Sequence, residues 1–204
     1  MKNSVIISLL AFLLMCSSCV SGRGSRQDVE TAAKECFANP IRQGGSSPCV
    51  VYADGKYYYT QSTYVRVSLW SSETIAGLNE AQEHVVYTPD EAYYISGTRL
   101  YRFNGKWYIY YSSDNGDMSS RSIHVLENAS KNPLEGEFIH KGIIQTGNQK
   151  SFHPSVFNHK GQLYFFWSGY DAQKGSDIDV SHIYVSRMKD PWTLDSAPSS
   201  ILSP

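Results

Sequence analysis

The chain has 204 residues and a formal net charge of −1, with 18 Lys and Arg against 19 Asp and Glu. This length fits one folded domain, and the balanced charge offers no basic surface, so nucleic acid is not an expected partner. Aromatic residues make up 13% of the chain, with 15 Tyr against four Met. That balance favours β-structure, with sugar-stacking surfaces as the alternative.

The first 22 residues differ in composition from the rest. An apolar run from Val5 to Met15 follows a positive charge, and it is too short to cross a bilayer of about 30 Å as a helix. It is typical of a secretory signal. Cys19 follows small residues at the expected cleavage point, which predicts a bacterial lipoprotein of the cell envelope acylated at Cys19; simple secretion is the alternative. The predicted organisation is a signal peptide at 1–22, a polar tether at 23–37 and a folded domain at 38–204.

Two cysteines, Cys36 and Cys49, remain after the signal. In an oxidising compartment they could pair, and the disulfide would then stabilise the fold by about 3 kcal/mol. Two separate buried thiols are the alternative. Because no His lies near them in the sequence, they make a poor zinc site, and no metal or other cofactor is expected.

A turn dipeptide followed by an aromatic strand occurs three times along the chain. The copies start 50 and 56 residues apart and occupy Asp54–Ser62, Asn104–Ser112 and Lys160–Ser168. Asp-Gly and Asn-Gly are the dipeptides that two-residue hairpins favour, since both positions need positive φ. Recurrence at this period is typical of stacked β-sheet blades.

Each predicted blade has an inner strand before the turn and two further strands after it. The predicted strands are Pro48–Tyr52, Lys56–Ser62 and Val65–Ser72 in blade one, Thr98–Phe103, Lys106–Ser112 and Ser122–Glu127 in blade two, and Pro154–Asn158, Gln162–Ser168 and His182–Met188 in blade three. A closed propeller needs at least four blades, and the length holds about three. The sequence therefore predicts an all-β, partial β-propeller.

The repeat also allows one blade to be aligned on another. Pro48 and Pro154 each lie six residues before the hairpin of their blade. The residues just before them, Ser47 and His153, are therefore equivalent, and the blade-two equivalent is Gly97. In a propeller, this position opens on the central channel.

Several segments resemble glycoside hydrolase family 43. They are Asn39–Val51 with the hairpin that follows it, Gly105–Tyr111, Tyr164–Gly169 and Met188–Leu194. The similarity runs from about residue 38 to the end of the chain and is strongest to the branch acting on arabinose- and xylose-containing glycans. The resemblance implies a five-bladed β-propeller that hydrolyses O-glycosidic bonds with inversion, as α-L-arabinofuranosidases and β-xylosidases do.

The resemblance also implies where catalytic groups would stand. Inversion uses an acid and a carboxylate base about 6.5–9.5 Å apart. The family's base Asp falls on Ser47, its acid-positioning Asp falls on His153, and its acid Glu falls beyond Pro204. The family's Trp-Ala-Pro-Glu-Leu segment reads Ser96–Leu100 here. We therefore expect catalysis to be lost or impaired; a surface glycan-binding module and a non-functional fragment are the alternatives.

Four residues are candidates for binding an arabinose- or xylose-containing glycan. Arg99 could contact a sugar or fill space left by missing carboxylates, and His153 could be a neutral base or a structural histidine. Trp70 and Trp167 could stack on sugars, with core packing as the alternative. The acidic pair Asp90–Glu91 is more typical of a solvated loop than of a catalytic base. The three acidic residues of a blade-three loop are more typical of a polar loop than of a calcium site; they are Asp171, Asp177 and Asp179. Contact with a membrane is expected only through the lipid anchor.

Overall fold

The computed structural model describes residues 39–90, 93–148, 150–170 and 180–203, which belong to one compact unit running from Ala38 to Pro204. Within these ranges the regular elements are β-strands and two short 3-10 turns, Ala76–Asn79 and Met118–Ser120. The all-β prediction is confirmed. Nowhere in this part of the chain is there a helix long and apolar enough to cross a membrane.

The strands form three antiparallel sheets, each built from consecutive segments of the chain. The first sheet has the order β1 (Ser46–Ala53), β2 (Lys56–Ser62), β3 (Val67–Ser72) and β4 (His84–Tyr87). The second has the order β5 (Tyr93–Phe103), β6 (Lys106–Asp114), β7 (Ser122–Asn128) and β8 (Ile139–Ile143). In the third, β9 (Lys150–His159), β10 (Gln162–Tyr170), β11 (Ser181–Asp190) and β12 (Thr193–Leu194) follow in that order, and β13 (Ser199–Leu202) also pairs with β11.

The predicted hairpin turns are present in all three sheets. The two central residues of each turn have positive φ: 50° and 81° at Asp54–Gly55, 51° and 78° at Asn104–Gly105, and 49° and 87° at Lys160–Gly161. Lys160 lacks the Asn or Asp usual at that position, and the Gly161 N–H instead donates to Asn158 Oδ1 at 2.9 Å. These tight turns place the first two strands of each sheet side by side.

Aromatic and aliphatic side chains fill the space between neighbouring sheets. One buried cluster joins the first and second sheets and includes Tyr58, Leu69 and Trp107. Another joins the second and third sheets and includes Tyr110 and Phe165. Strand β6 therefore buries side chains on both faces, whereas β10 buries only alternate residues, Phe165, Trp167 and Gly169.

The inner strands of the three sheets lie next to one another. Strand β5 contacts both β1 and β9, so the blades converge along one side. That side holds the positions that the repeat alignment makes equivalent.

Candidate functional site

Each inner strand carries a β-bulge at the same place. Residues 47–48, 97–98 and 153–154 each oppose a single residue of the neighbouring strand. The first residue of each bulge has positive φ: 54° at Ser47, 64° at Gly97 and 50° at His153. The backbone therefore has the same shape at the three equivalent positions, and bulges of this kind re-aim a side chain or end the pairing.

The bulges of adjacent blades touch. A Cβ added to Gly97 would lie 3.4 Å from Pro154 Cδ and 3.5 Å from His153 Cα, so blades two and three meet closely here. Arg99 Nη1 donates to the carbonyl oxygen of Ser47 at 3.0 Å, which joins blades one and two. The structure thus brings together four of the predicted positions, Ser47, Gly97, His153 and Arg99. They lie on the side where the inner strands of the blades converge, which is called the axial site below.

A buried ion pair lies directly behind this site. Arg121 Nη1 contacts Asp114 Oδ2 at 2.5 Å, and the two side chains are only 3% and 5% exposed. Arg121 Nη2 donates to the Tyr94 carbonyl oxygen and to Ser96 Oγ. The Arg121 carbonyl oxygen accepts from the Ser151 N–H at 3.0 Å. Arg121 therefore joins the ends of three strands, β5, β6 and β9.

The electrostatics of the site disfavour positive charge on its histidine. Partial removal of the His153 ring from water lowers its pKa below the usual range, and the nearby guanidinium groups of Arg99 and Arg121 lower it further. His153 is consequently neutral at pH 7. The same two arginines would stabilise an anion placed at this position.

Four aromatic side chains border the site and are referred to here as the axial rim: Tyr64, Tyr94, Phe152 and Tyr170. Tyr64 and Tyr94 meet edge to face, with ring centroids 5.1 Å apart, and are 44% and 59% exposed. The Arg121 guanidinium lies 5.8 Å from the Tyr94 ring and 5.4 Å from the Phe152 ring, and Phe152 contacts Tyr170 at 5.5 Å. The rim crosses all three blades.

Two rim residues adopt backbone conformations that are rare for aromatic residues. The φ angles of Tyr64 and Tyr94 are 70° and 58°. Such strain costs about 1–3 kcal/mol per residue and is often associated with function. Neither tyrosine stood out in the sequence, because each lies outside the repeated hairpins and only the fold places it at the axis.

The tryptophan candidates lie in the core instead. Trp70 and Trp167 are 3% and 1% exposed, so neither ring can stack on a sugar from solvent. Trp167 Nε1 donates to Asn148 Oδ1 at 2.7 Å, and the Arg42 guanidinium covers the Trp70 ring at 4.6 Å. For both residues the structure supports the core-packing alternative.

Several sequence predictions concern residues outside the described part of the chain. They include Cys19, Cys36, Glu91, Asp171, Asp177 and Asp179. Asp90 is described and exposed, and Cys49 Sγ lies 3.9 Å from the Leu100 carbonyl oxygen. Among the described residues, no group of three or more His, Cys, Asp and Glu side chains could hold a metal ion.

These groups define what the axial site can do chemically. The bulges present a hydroxyl at Ser47 and a neutral imidazole at His153, while Asp114 is engaged by Arg121. The site therefore offers hydrogen-bonding groups, guanidinium charge and aromatic faces, which suit a polyhydroxylated ligand. The pair of carboxylates that inverting hydrolysis needs is not formed by the residues at the bulges.

Antiparallel sheets that converge by their inner strands are the blades of a β-propeller, of which three are described here. The family model described as "Glycosyl hydrolases family 43" matches residues 37–203. The chain belongs to this family.

Individual relatives agree with this assignment. The chain is 31% identical over 177 residues to an extracellular exo-α-(1→5)-L-arabinofuranosidase from Streptomyces chartreusis, a match covering 82% of this chain and 53% of that protein. It is 25% identical over 210 residues to a protein of the same name from Streptomyces avermitilis, covering 98% and 42%. The chain thus spans about half the length of the curated relatives it matches.

The fold is also found in solved structures. The crystal structure of an α-L-arabinofuranosidase from Lactobacillus brevis superposes with a TM-score of 0.74 at 24% identity, covering 82% of this chain and 56% of that one. An endo-arabinase from Bacteroides thetaiotaomicron superposes with a TM-score of 0.63 at 16% identity, covering 82% and 60%. The prediction of the propeller fold is confirmed.

Proposed function

We propose that this chain binds arabinose- or xylose-containing glycans at its axial rim and that its capacity to hydrolyse them is lost or strongly impaired. The observation that carries the proposal is the pair of side chains at two bulges. Ser47 and His153 stand where the family resemblance implies aspartates. A serine hydroxyl is not a base near neutral pH, and general base catalysis typically contributes about 10²–10⁴-fold.

The names of the relatives support the choice of glycan. Two are called exo-α-(1→5)-L-arabinofuranosidases and are described as extracellular. We infer from these names that this chain also binds a pentose-containing glycan and is also exported from the cell. Cleavage of a signal peptide at 1–22 and acylation of Cys19 would anchor the protein to the cell envelope through residues 23–37, with simple secretion as the alternative.

The axial rim has the chemistry that glycan binding requires. Sugar rings carry apolar C–H faces, and the exposed rings of Tyr64 and Tyr94 offer the amphipathic surface on which such faces pack. The Arg99 guanidinium and the neutral His153 imidazole can bind hydroxyl groups, and the His153 ring lies 6.1 Å from the Phe152 ring of the rim. Since the rim crosses all three blades, a chain of sugars could contact more than one blade.

Hydrolysis is tested with the 4-nitrophenyl glycosides of α-L-arabinofuranose and β-D-xylose. We expect no release of nitrophenol by the 204-residue chain above the buffer blank. Clear turnover that disappears in Ser47→Ala or His153→Ala would show that these residues are catalytic and would refute the loss of activity.

Binding is tested separately by isothermal titration calorimetry with arabino- and xylo-oligosaccharides. We expect millimolar or tighter binding, weakened about 2–13-fold by Tyr64→Ala or Tyr94→Ala, from about 0.5–1.5 kcal/mol per aromatic contact. Tyr52→Ala is the matched control, because Tyr52 is an exposed tyrosine at the turn end of β1, away from the bulge. Absence of binding, or equal loss in all three variants, would remove the glycan-binding proposal.

A further inference from the structure

A cavity lies between blades two and three at the hairpin-turn ends of their strands, away from the axial site. It is called the turn-end cavity, and it is lined by Asn158 and by residues 102–104, 161–163 and 188–191. Its volume is about 360 Å³, within the range of about 300–1,000 Å³ that small-ligand sites occupy. Because β5 runs from the bulge at Gly97 to the turn at about 3.3 Å per residue, the cavity and the axial site are about 20 Å apart.

Contacts within the walls of the turn-end cavity hold them in one arrangement. The ring of Phe103, which lines the cavity, stacks on Tyr101 at 5.5 Å with planes 14° apart and on Tyr108 at 5.8 Å with planes 30° apart. The segment after β11 is held against blade two, because Tyr110 Oη donates to the Pro191 carbonyl oxygen at 2.5 Å. Walls fixed in this way lose little further freedom when a ligand binds, which favours affinity.

Two side-chain amides of the cavity are oriented by hydrogen bonds to the backbone. Asn158 Oδ1 accepts from the Gly161 N–H at 2.9 Å, and Gln162 Nε2 donates to the carbonyl oxygens of Leu163 and Met188 at 3.0 and 2.7 Å. Because a backbone N–H can only donate and a carbonyl oxygen can only accept, these bonds fix the orientation of both amides. They leave Asn158 Nδ2 to donate to a ligand and Gln162 Oε1 to accept from one. A sugar hydroxyl, which can both donate and accept, is suited to such a pair.

The charged groups of the cavity balance one another. Arg102 Nη1 lies 2.9 Å from Asp54 Oδ2 in an ion pair, and Lys189 and Asp190, adjacent residues of opposite charge, both line the cavity. A site with paired charges favours neither an anion nor a cation, so its ligand is neutral and polar. Asp190 Oδ1 accepts from the Trp192 N–H at 3.0 Å, which leaves Oδ2 to accept from a ligand hydroxyl while the Lys189 ammonium donates to another.

We propose that the turn-end cavity is a second glycan-binding site, which takes one neutral sugar unit. The amides of Asn158 and Gln162 and the charged pair Lys189–Asp190 bind its hydroxyl groups, and the Phe103 ring contacts its apolar side. A neutral, hydroxyl-rich ligand follows from the cavity itself, whereas the choice of an arabinose or xylose unit rests on the proposed function. A polysaccharide that reaches both the cavity and the axial rim is bound more tightly than a short oligosaccharide that reaches only one.

The test is a ¹H–¹⁵N NMR titration of the full 204-residue chain with arabinotriose and with xylotriose. We expect the backbone amides of Gly161 and Leu163 and the side-chain amide of Asn158 to shift with one common Kd in the millimolar range. Tyr94→Ala, which alters the axial rim, should leave this Kd unchanged.

Asn158→Asp is the primary variant, because it keeps the Oδ1 that accepts from the Gly161 N–H and replaces only the donor that faces the ligand. It should weaken binding at the cavity about 2–13-fold, as expected for the loss of one hydrogen bond. Asn79→Asp is the matched control, because it makes the same change at an exposed residue in the 3-10 turn of blade one. It should bind as the wild type does.

The two glycan sites fail separately in this experiment. Shifts at Tyr64 and Tyr94 without shifts at Gly161 and Leu163 would overturn the second site and leave the proposed function standing. Shifts at the cavity alone would support the second site and count against binding at the axial rim. Equal affinities in Asn158→Asp and Asn79→Asp, or tighter binding of sodium sulfate than of either trisaccharide at the cavity, would also overturn the proposal.

Discussion

Replacing Arg121 with Met should destabilise this protein far more than the loss of an exposed ion pair. The substitution removes the guanidinium that neutralises Asp114, whose side chain is 5% exposed, and it leaves the Tyr94 carbonyl and Ser96 Oγ without their donor. Removing one partner of a buried pair typically costs about 3–5 kcal/mol. For a domain of this size that corresponds to a fall in Tm of about 6–20 °C.

The measurement is urea unfolding of wild type and variant, followed by circular dichroism. Arg187→Met is the control, because Arg187 forms an ion pair that is exposed to solvent. Its Nε lies 3.0 Å from Asp195 Oδ2, and the Arg187 and Asp195 side chains are 49% and 43% exposed, respectively. An exposed pair contributes at most about 1 kcal/mol. The double variant Arg121→Met with Asp114→Asn should recover part of the loss, since no buried charge remains. A cost below about 1 kcal/mol for Arg121→Met would refute the reasoning.

Three further predictions concern the axial site and the core. In a ¹H–¹⁵N NMR titration, the pKa of His153 should lie below that of an unfolded histidine, and Arg99→Gln should raise this pKa. Because the folded pKa is the lower one, the stability that His153 contributes is present above about pH 6.5. It is lost as the pH falls towards the folded pKa. Gly97→Ala and Gly105→Ala should each lower the free energy of unfolding by roughly 1 kcal/mol, because both positions have positive φ and a Cβ at position 97 would make only ordinary van der Waals contacts with Pro154 and His153; a much larger loss for Gly97→Ala in urea unfolding would contradict this reading of the contact between blades. Trp167→Ala should cost about 3–5 kcal/mol by the same assay, and a loss of glycan affinity without a loss of stability would contradict its place in the core.

The sequence predicted the fold well because the signal was local and repeated. Each hairpin combines a turn dipeptide with aromatic strands, and the three copies support one another. The outer strands His84–Tyr87 and Ile139–Ile143 were not predicted, because they are short and lack an alternating pattern. Their place in the sheet comes from pairing with β3 and β7 rather than from their own residues.

The axial site was predicted only in part. The repeat alignment located Ser47, His153 and Arg99, because equivalent positions in a propeller converge on the axis. Tyr94 and Arg121 could not be found this way. Their importance depends on contacts between blades and on a buried charge pair, and neither leaves a pattern in the chain.

The three bulges have a consequence for how activity can be gained or lost in such a scaffold. The backbone holds the same shape whether the residue is Ser47, Gly97 or His153, so the bulge does not depend on one particular side chain. An aspartate codon becomes a histidine codon through one nucleotide change, and the bulge of blade three holds a histidine at position 153. Chemistry at the axis can therefore change by point mutation while the architecture persists, which makes these positions natural sites for laboratory evolution of new activities.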